Sequence, residues 1–251
     1  MQRNDFFVII PAFNEEKCFE ATLERLAEQS DLDFSLVIVN NGSTDGTVEL
    51  VNRFRRRSDL AVHLIDEPQK GTGAAADTGC RHAIALGARY LARTDADCLP
   101  DRDWIANIKR AFDRRGLEFV AGRVKVRADD IHVTRTDRLV LPLLWFIGET
   151  VGRTIRRGPR FKYRFIAVAG NNMAVTSELY VRAGGFPRSK IEDVHEDLVL
   201  SESIRALTDK AGKCRDVVVH NSIRRVKRYG YWNTVMWYWD HRYRTTDVDI
   251  R

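Results

Sequence analysis

The chain has 251 residues, 44% apolar and 30% charged, enough for one generous globular domain with a large core, and this composition excludes a disordered chain. Lys plus Arg (41) exceed Asp plus Glu (35), and the net charge of +6 favours an anionic partner such as a phosphorylated substrate, an acidic membrane face or nucleic acid. Four scattered cysteines (Cys18, Cys80, Cys98, Cys214) form no CxxC pair and have no histidine at zinc spacing, so neither a disulfide framework nor a zinc site is expected and a reducing, cytoplasmic setting is the simpler one.

Met1–Asp5 is polar and the apolar run after it meets Pro11 at once, so no signal peptide is expected. Phe6–Ile10 is short, apolar and β-branched and predicts a strand. Glu15–Gln29 predicts a helix, with Phe19, Leu23 and Leu26 on one face. Ser35–Val39 predicts a second strand, residues 42–46 a turn and Thr47–Phe54 a helix with Val48, Val51 and Phe54 inward. Ala61–Ile65, Ala74–Leu86 and Tyr90–Arg93 continue as strand, helix and strand. This alternation predicts an α/β fold with a mostly parallel central sheet and helices on both faces. In such sheets ligands sit beyond the carboxyl ends of the strands, where Asn14–Glu16, Asn40–Asp45 and Asp95–Asp97 fall.

After Asp101 the pattern loosens. Residues 119–127 and 165–176 read as strands, as does Asp216–His220, which leads into an Arg- and aromatic-rich tail. The longest apolar run, Leu139–Ile147, contains Pro142 and spans nine residues, too few for a hydrocarbon core that needs about 20. Val151–Ile166 holds six basic residues and no acidic one, interleaved with Phe161, Tyr163 and Phe165. It reads either as an exposed loop with alternate aromatics facing a core, or as a surface for a lipid-phosphate acceptor or anionic membrane.

Asp95-Ala96-Asp97 places two carboxylates on one side of an extended segment. Two hard oxygen donors suit Mg²⁺ or Mn²⁺, which takes few protein ligands plus substrate phosphates. Further motifs accompany it in order: residues 7–16 (Phe-Val-Ile-Ile-Pro-Ala-Phe-Asn-Glu-Glu), 37–47 (Val-Ile-Val-Asn-Asn-Gly-Ser-Thr-Asp-Gly-Thr), 70–83 from Lys70 to Ala83, 94–100 from Thr94 to Pro100, Ala169–Ala174, Gly184-Gly185-Phe186 and Glu196–Leu200. Over residues 6–205 this succession resembles family 2 glycosyltransferases, which have the GT-A fold.

The resemblance implies transfer of a sugar from a nucleotide-diphosphate donor (UDP-, dTDP- or GDP-linked) to an acceptor hydroxyl, metal-dependent and inverting by single displacement. Pro11, Ala12, Phe13, Asn14 and Glu15 would line the nucleobase and ribose pocket, Asn40 or Asn41 would meet the base edge, and Asp77 would stand on the loop–helix edge beside it. Asp95 would approach the ribose, sugar or metal, Asp97 would hold the metal, His220 would serve as a third metal ligand, and Arg224 would clamp the diphosphate. Asp197 would deprotonate the acceptor, and the doublet Glu196-Asp197 is preferred to Glu192-Asp193 because Leu200, Ile204 and Leu207 follow it at helical spacing. Residues 1–100 would be the donor half and 101–211 the acceptor half of one domain, with 212–251 a divergent tail. The acceptor would be lipid-linked or a small glycan, with peripheral contact at the inner face of an anionic membrane and no nucleic-acid partner.

The chain departs from the family at Asn40-Asn41, where an Asp is common; an amide both donates and accepts, which leaves the base preference open. Two other readings stand beside this one. A non-catalytic nucleotide-sugar binder would leave Asp197 without work. A nicotinamide-dependent oxidoreductase would use Gly71–Ala76 as GxGxxA, although Asp66–Lys70 intervene between strand and first glycine.

Overall fold

A computed structural model describes residues 5–188 and 195–240. In chain order the elements are β1 (Phe6–Ala12), α1 (Phe19–Ala27), β2 (Ser35–Asn40), α2 (Thr47–Arg57), β3 (Ala61–Asp66), α3 (Thr72–Ala85), β4 (Tyr90–Arg93) and β5 (Cys98–Pro100). There follow α4 (Trp104–Arg115), β6 (Phe119–Val126), α5 (Arg135–Ile155), β7 (Met173–Thr176), α6 (Ser177–Arg182), α7 (Glu196–Leu207), β8 (Ala211–Asn221) and α8 (Arg224–Asp240).

One eight-stranded sheet runs in the order β3-β2-β1-β4-β7-β6-β8-β5. β3, β2, β1 and β4 are parallel; β7 is antiparallel to β4 and β6, β8 runs parallel to β6, and β5 closes the edge antiparallel to β8. β1 and β2 read as unbroken apolar runs because both faces are covered. Phe6, Val8 and Ile10 join one core with α1 and α4, while Phe7 and Ile9 join a second with α3 and α7. Gly79 brings α3 onto the sheet: a Cβ there would lie 2.7 Å from the Ile9 side chain and 2.8 Å from that of Val39.

The four predicted parallel strands and their helices are present, and the differences gather in the second half. Residues 165–176 form a strand only at Met173–Thr176, and the last strand begins at Ala211 rather than Asp216. The apolar run is part of the 21-residue α5, whose N-terminus is closed by a Thr134–Asp137 capping box. None of its large apolar residues is fully buried, so core periodicity gave no sign of it. The tail is helical too, bent at Gly230, whose φ of 77° breaks α8 into two. No helix among the described residues is long and apolar enough to cross a membrane.

Candidate active site

Two loops at the carboxyl ends of β1 and β2 lock together through their own side chains. Asn14 stands at a positive φ of 54°, uncommon for a residue with a Cβ. Its N–H donates to Ser43 Oγ (3.1 Å) and its Oδ1 accepts from Thr44 N (2.8 Å). Glu15 N donates to Thr47 Oγ1 (2.8 Å), Glu16 N to Asp45 Oδ2 (3.1 Å), and Gly46 N to Glu16 Oε2 (3.0 Å). Lys70 Nζ donates to the Asn41 and Gly42 carbonyls and lies 3.7 Å from the Phe13 ring centroid. The polar residues of both motifs thus lock the two loops together, with Pro11 and Ala12 at the end of β1 and Phe13 just after it.

A charged centre lies beyond β4. Arg93, its last residue, is buried, and its Nη2 reaches Glu196 Oε1 at 3.1 Å and Asp95 Oδ1 at 3.4 Å. Burial opposes charge on this guanidinium, but Asp95 and Glu196 outweigh it and its pKa rises. Asp197, at the start of α7, accepts from Gly170 N (2.9 Å) and Leu198 N (2.7 Å). Protein packed around its carboxyl, with Glu196 beside it, pushes its pKa up to about 6. On the other side Arg224, from the start of α8, bridges Asp97 Oδ2 (2.9 Å) and Glu15 Oε2 (3.2 Å). Contacts spanning more than a hundred residues of sequence therefore gather Glu15, Asp95, Asp97, Glu196 and Asp197 around two guanidiniums.

Several expected site residues are engaged elsewhere. Asp77 lies within α3 and is buried; it accepts from Tyr180 Oη (2.8 Å) and Arg81 Nε (2.7 Å), and Arg188 approaches to 3.5 Å. It ties α3 to α6. Asn41 is buried, its Nδ2 donating to the Glu67 and Gln69 carbonyls and its Oδ1 accepting from Gly71 N. Asn40 donates to Asp66 Oδ1 (2.7 Å) and accepts from Ser43 N (2.9 Å). Both amides therefore shape the 66–71 turn, and the exposed group beside them is Asp66. His220 Nε2 lies 3.0 Å from Asp101 Oδ1, and no three His, Cys, Asp or Glu side chains among the described residues form a metal-ligand cluster. His220, expected as a third ligand with Asp95 and Asp97, lies where β8 pairs with β5, opposite Leu99 and so two positions along the chain from Asp97. Glu192-Asp193 lies outside the described residues.

The donor set still suits a divalent cation. Asp97 already holds a positive group, Arg224, and Asp95 stands two residues away with hard oxygen donors. A cation there would take few protein ligands and complete its shell with phosphate oxygens and water.

Residues 7–178, more than half of the chain, match the family described as Glycosyl transferase family 2. The chain belongs to glycosyl transferase family 2. Among its relatives, glycosyltransferase AglE of Haloferax volcanii is 32% identical over 122 residues, which are 47% of this chain and 38% of that protein. Dolichyl-phosphate beta-glucosyltransferase ALG5D of Trichomonas vaginalis is 30% identical over 138 residues, 51% of this chain and 42% of that protein. The matches thus span about two fifths of these relatives' length. The mannosyltransferase PcManGT of Pyrobaculum calidifontis, solved with GDP-Man and Mn2+, superposes with a TM-score of 0.66 at 27% identity, covering 92% of this chain and 60% of that one. The sheet is that of the GT-A fold, and the nicotinamide reading falls with the family assignment.

Within this family 2 chain, two charged residues at strand ends, Arg93 and Asp66, carried no site role in the sequence reading. Arg93 was counted as the end of an apolar strand, although a charge in a four-residue strand immediately before Thr94–Asp97 was a visible signal. Asp66 directly follows the predicted strand Ala61–Ile65 and in the structure is the register partner of Asn40.

Proposed function

We propose that this chain transfers a sugar from a nucleoside diphosphate donor to an acceptor hydroxyl, with inversion, using a divalent cation. The observation that carries this reading is the single charged centre in which Arg93 ties Asp95, of the strand-end acidic motif, to Glu196, the neighbour of Asp197. The donor half, residues 1–100, brings the nucleotide rim and the acidic pair; the acceptor half, 101–211, brings Asp197.

Each residue then has a task. Phe13 and Asn14 border the nucleoside pocket, and Asp66 accepts hydrogen bonds from N–H groups on the base edge, as found on uracil, thymine and guanine. Asp97, with Asp95, would hold Mg²⁺ or Mn²⁺, which when bound would neutralise charge developing on the leaving diphosphate. Arg224 releases Asp97 and turns to the diphosphate oxygens, which its planar fork matches. Asp197 accepts the acceptor's hydroxyl proton as that oxygen bonds to the anomeric carbon; the bond from that carbon to the phosphate oxygen breaks and the nucleoside diphosphate leaves. One displacement inverts the centre. A buried carboxylate base suits a hydroxyl, which must lose a proton, better than a phosphate, which is ionised already.

A lipid-linked acceptor that offers a hydroxyl is the second element of the proposal; the dolichyl-phosphate in the name of the Trichomonas relative supports the lipid carrier alone, because a phosphate acceptor would need no base. It would place the enzyme at the inner face of a membrane. The test is thermal shift with nucleoside diphosphates and nucleotide sugars, with and without Mn²⁺, followed by transfer assays. Asp97→Ala should lose the metal-dependent shift; Asp197→Asn should keep it and lose transfer by about 10²–10⁴-fold. Full transfer by Asp197→Asn onto a hydroxyl would overturn the mechanism. Full transfer by that variant onto a lipid phosphate alone would replace the hydroxyl with a phosphate acceptor.

A further inference from the structure

Helix α5 is built inside out. Its buried residues are Asp137, Glu149 and Gly152. Asp137 accepts from Lys227 Nζ (2.5 Å) and from Tyr231 Oη, both on α8; Glu149 pairs with Arg153 (2.7 Å) and with Lys213 of β8. Gly152 lets the Phe165 ring close in, for a Cβ there would meet it at 2.4 Å. On the opposite face Leu139, Leu143, Phe146 and Ile147 follow the i, i+4, i+7, i+8 spacing of one stripe and are 73%, 55%, 67% and 46% exposed. Thr150 and Thr154 extend the stripe, and their hydroxyls donate to the Phe146 and Thr150 carbonyls (2.8 and 3.1 Å), so they present no unspent donor. A contiguous apolar stripe held outward by buried ion pairs marks a surface meant to be covered.

We propose that α5 lies in the plane of an anionic bilayer, its Leu139–Ile147 stripe sunk into the boundary between headgroups and acyl chains. Charge complementarity selects this occupant. Immediately after the helix, Phe161, Tyr163 and Phe165 gather around the buried Arg205, with Phe161 closest at 3.9 Å. That inward turn leaves Arg160, Lys162 and Arg164 exposed, and Arg157 is exposed beside them. No acidic residue occurs between positions 151 and 166, so the segment is suited to anionic headgroups. Trp232, 71% exposed on α8 one residue from Tyr231, adds an interfacial aromatic. A second copy would bring two acid-free basic segments together, against their repulsion.

The proposal deepens the reading of a lipid-linked acceptor, although it requires only the membrane surface. The experiment is co-sedimentation of the full chain with vesicles of phosphatidylcholine alone or mixed with phosphatidylglycerol, over a salt series. Binding to the mixed vesicles, weakened by salt and lowered roughly tenfold or more in the double variant Leu143→Glu/Phe146→Glu, is the expected result. Arg160→Glu/Lys162→Glu should weaken binding to the mixed vesicles and leave the weak phosphatidylcholine binding as it was. Both variants should keep the Mn²⁺-dependent nucleotide thermal shift, which reports an intact fold. A chain that stays in the supernatant with mixed vesicles overturns the proposal, as does a Leu143→Glu/Phe146→Glu variant that sediments like the parent. A dimer dissolved by that pair, without vesicle binding, assigns the stripe to a second copy and also overturns it. Vesicle binding without transfer to any lipid-linked acceptor upholds α5 as the anchor and sinks the acceptor reading alone.

Discussion

Arg93 is buried with Nε and Nη1 making no hydrogen bond among the described residues, while Nη2 serves Asp95 and Glu196 and the guanidinium lies 5.1 Å from the Phe186 ring centroid. Such a group is retained only because carboxylates surround it; without it Asp95, Glu196 and Asp197 would face one another uncompensated. Arg93→Met should therefore cost about 3–5 kcal/mol in chemical denaturation, and it should also move the acid limb of kcat/KM upward, because Arg93 lowers the pKa of Asp197. A variant as stable as the parent would show that the centre is not held as described. As the proposed base, Asp197 must be ionised to accept a proton, so its raised pKa should make activity appear as pH rises. The pH profile of kcat/KM should fall below about 6, roughly tenfold per unit, and the residual rate of Asp197→Asn should lack this limb. Asp66→Asn should weaken donor binding, seen as a higher KM with kcat little changed.

Between elements, the tie from α5 to α8 rests on Asp137. Burial alone would raise its pKa, but hydrogen bonds from Lys227, Tyr231 and Thr134 outweigh it and hold the carboxyl well below its ordinary value. A depressed carboxylate contributes stability that is complete above its unfolded pKa of about 4 and is lost as pH falls toward its folded value. Asp137→Asn should consequently lower Tm near neutral pH and flatten its fall in acid; an unchanged acid slope would place the linkage elsewhere. This tie also shows why part of the fold was legible and part was not. β1 and β2 bury both faces, so their unbroken apolar runs announced them, and polar residues stand at their ends. α5 buries acids and exposes leucines, so a pattern that assumes apolar residues inside misplaces it. Asn41 and Asp77 were recognised as polar residues near the cleft, but a sequence does not record that an amide is spent on the Glu67 and Gln69 carbonyls, or a carboxylate on Tyr180 and Arg81.

Across the whole molecule, the residues after position 211 are part of the sheet that carries the site. β8 lies between β6 and β5: Phe119 to Val126 pair with Ala211 to Asn221, interrupted by one register shift, and Cys98 to Pro100 pair with Asn221 to Val219. Cys214, Val217 and Val219 are buried in the same core as Trp104 and Ile108 of α4. The change near residue 211 is thus one of motif density and not of architecture, and Arg224, three residues beyond β8, reaches back to Asp97 and Glu15. A fragment ending at residue 211 would leave β6 with an open edge, β5 with no strand to pair, and one wall of that core missing. Its loss should exceed the few kcal/mol that a single core truncation costs, against a total stability of only about 5–15 kcal/mol. The fragment 1–211 should therefore show no cooperative thermal transition and no Mn²⁺-dependent nucleotide shift, while the full chain shows both. Cooperative melting of the fragment near the full chain's Tm would mean that the donor half folds without β8, and a retained Mn²⁺-dependent shift would mean that the acidic pair needs no support from the C-terminal strand.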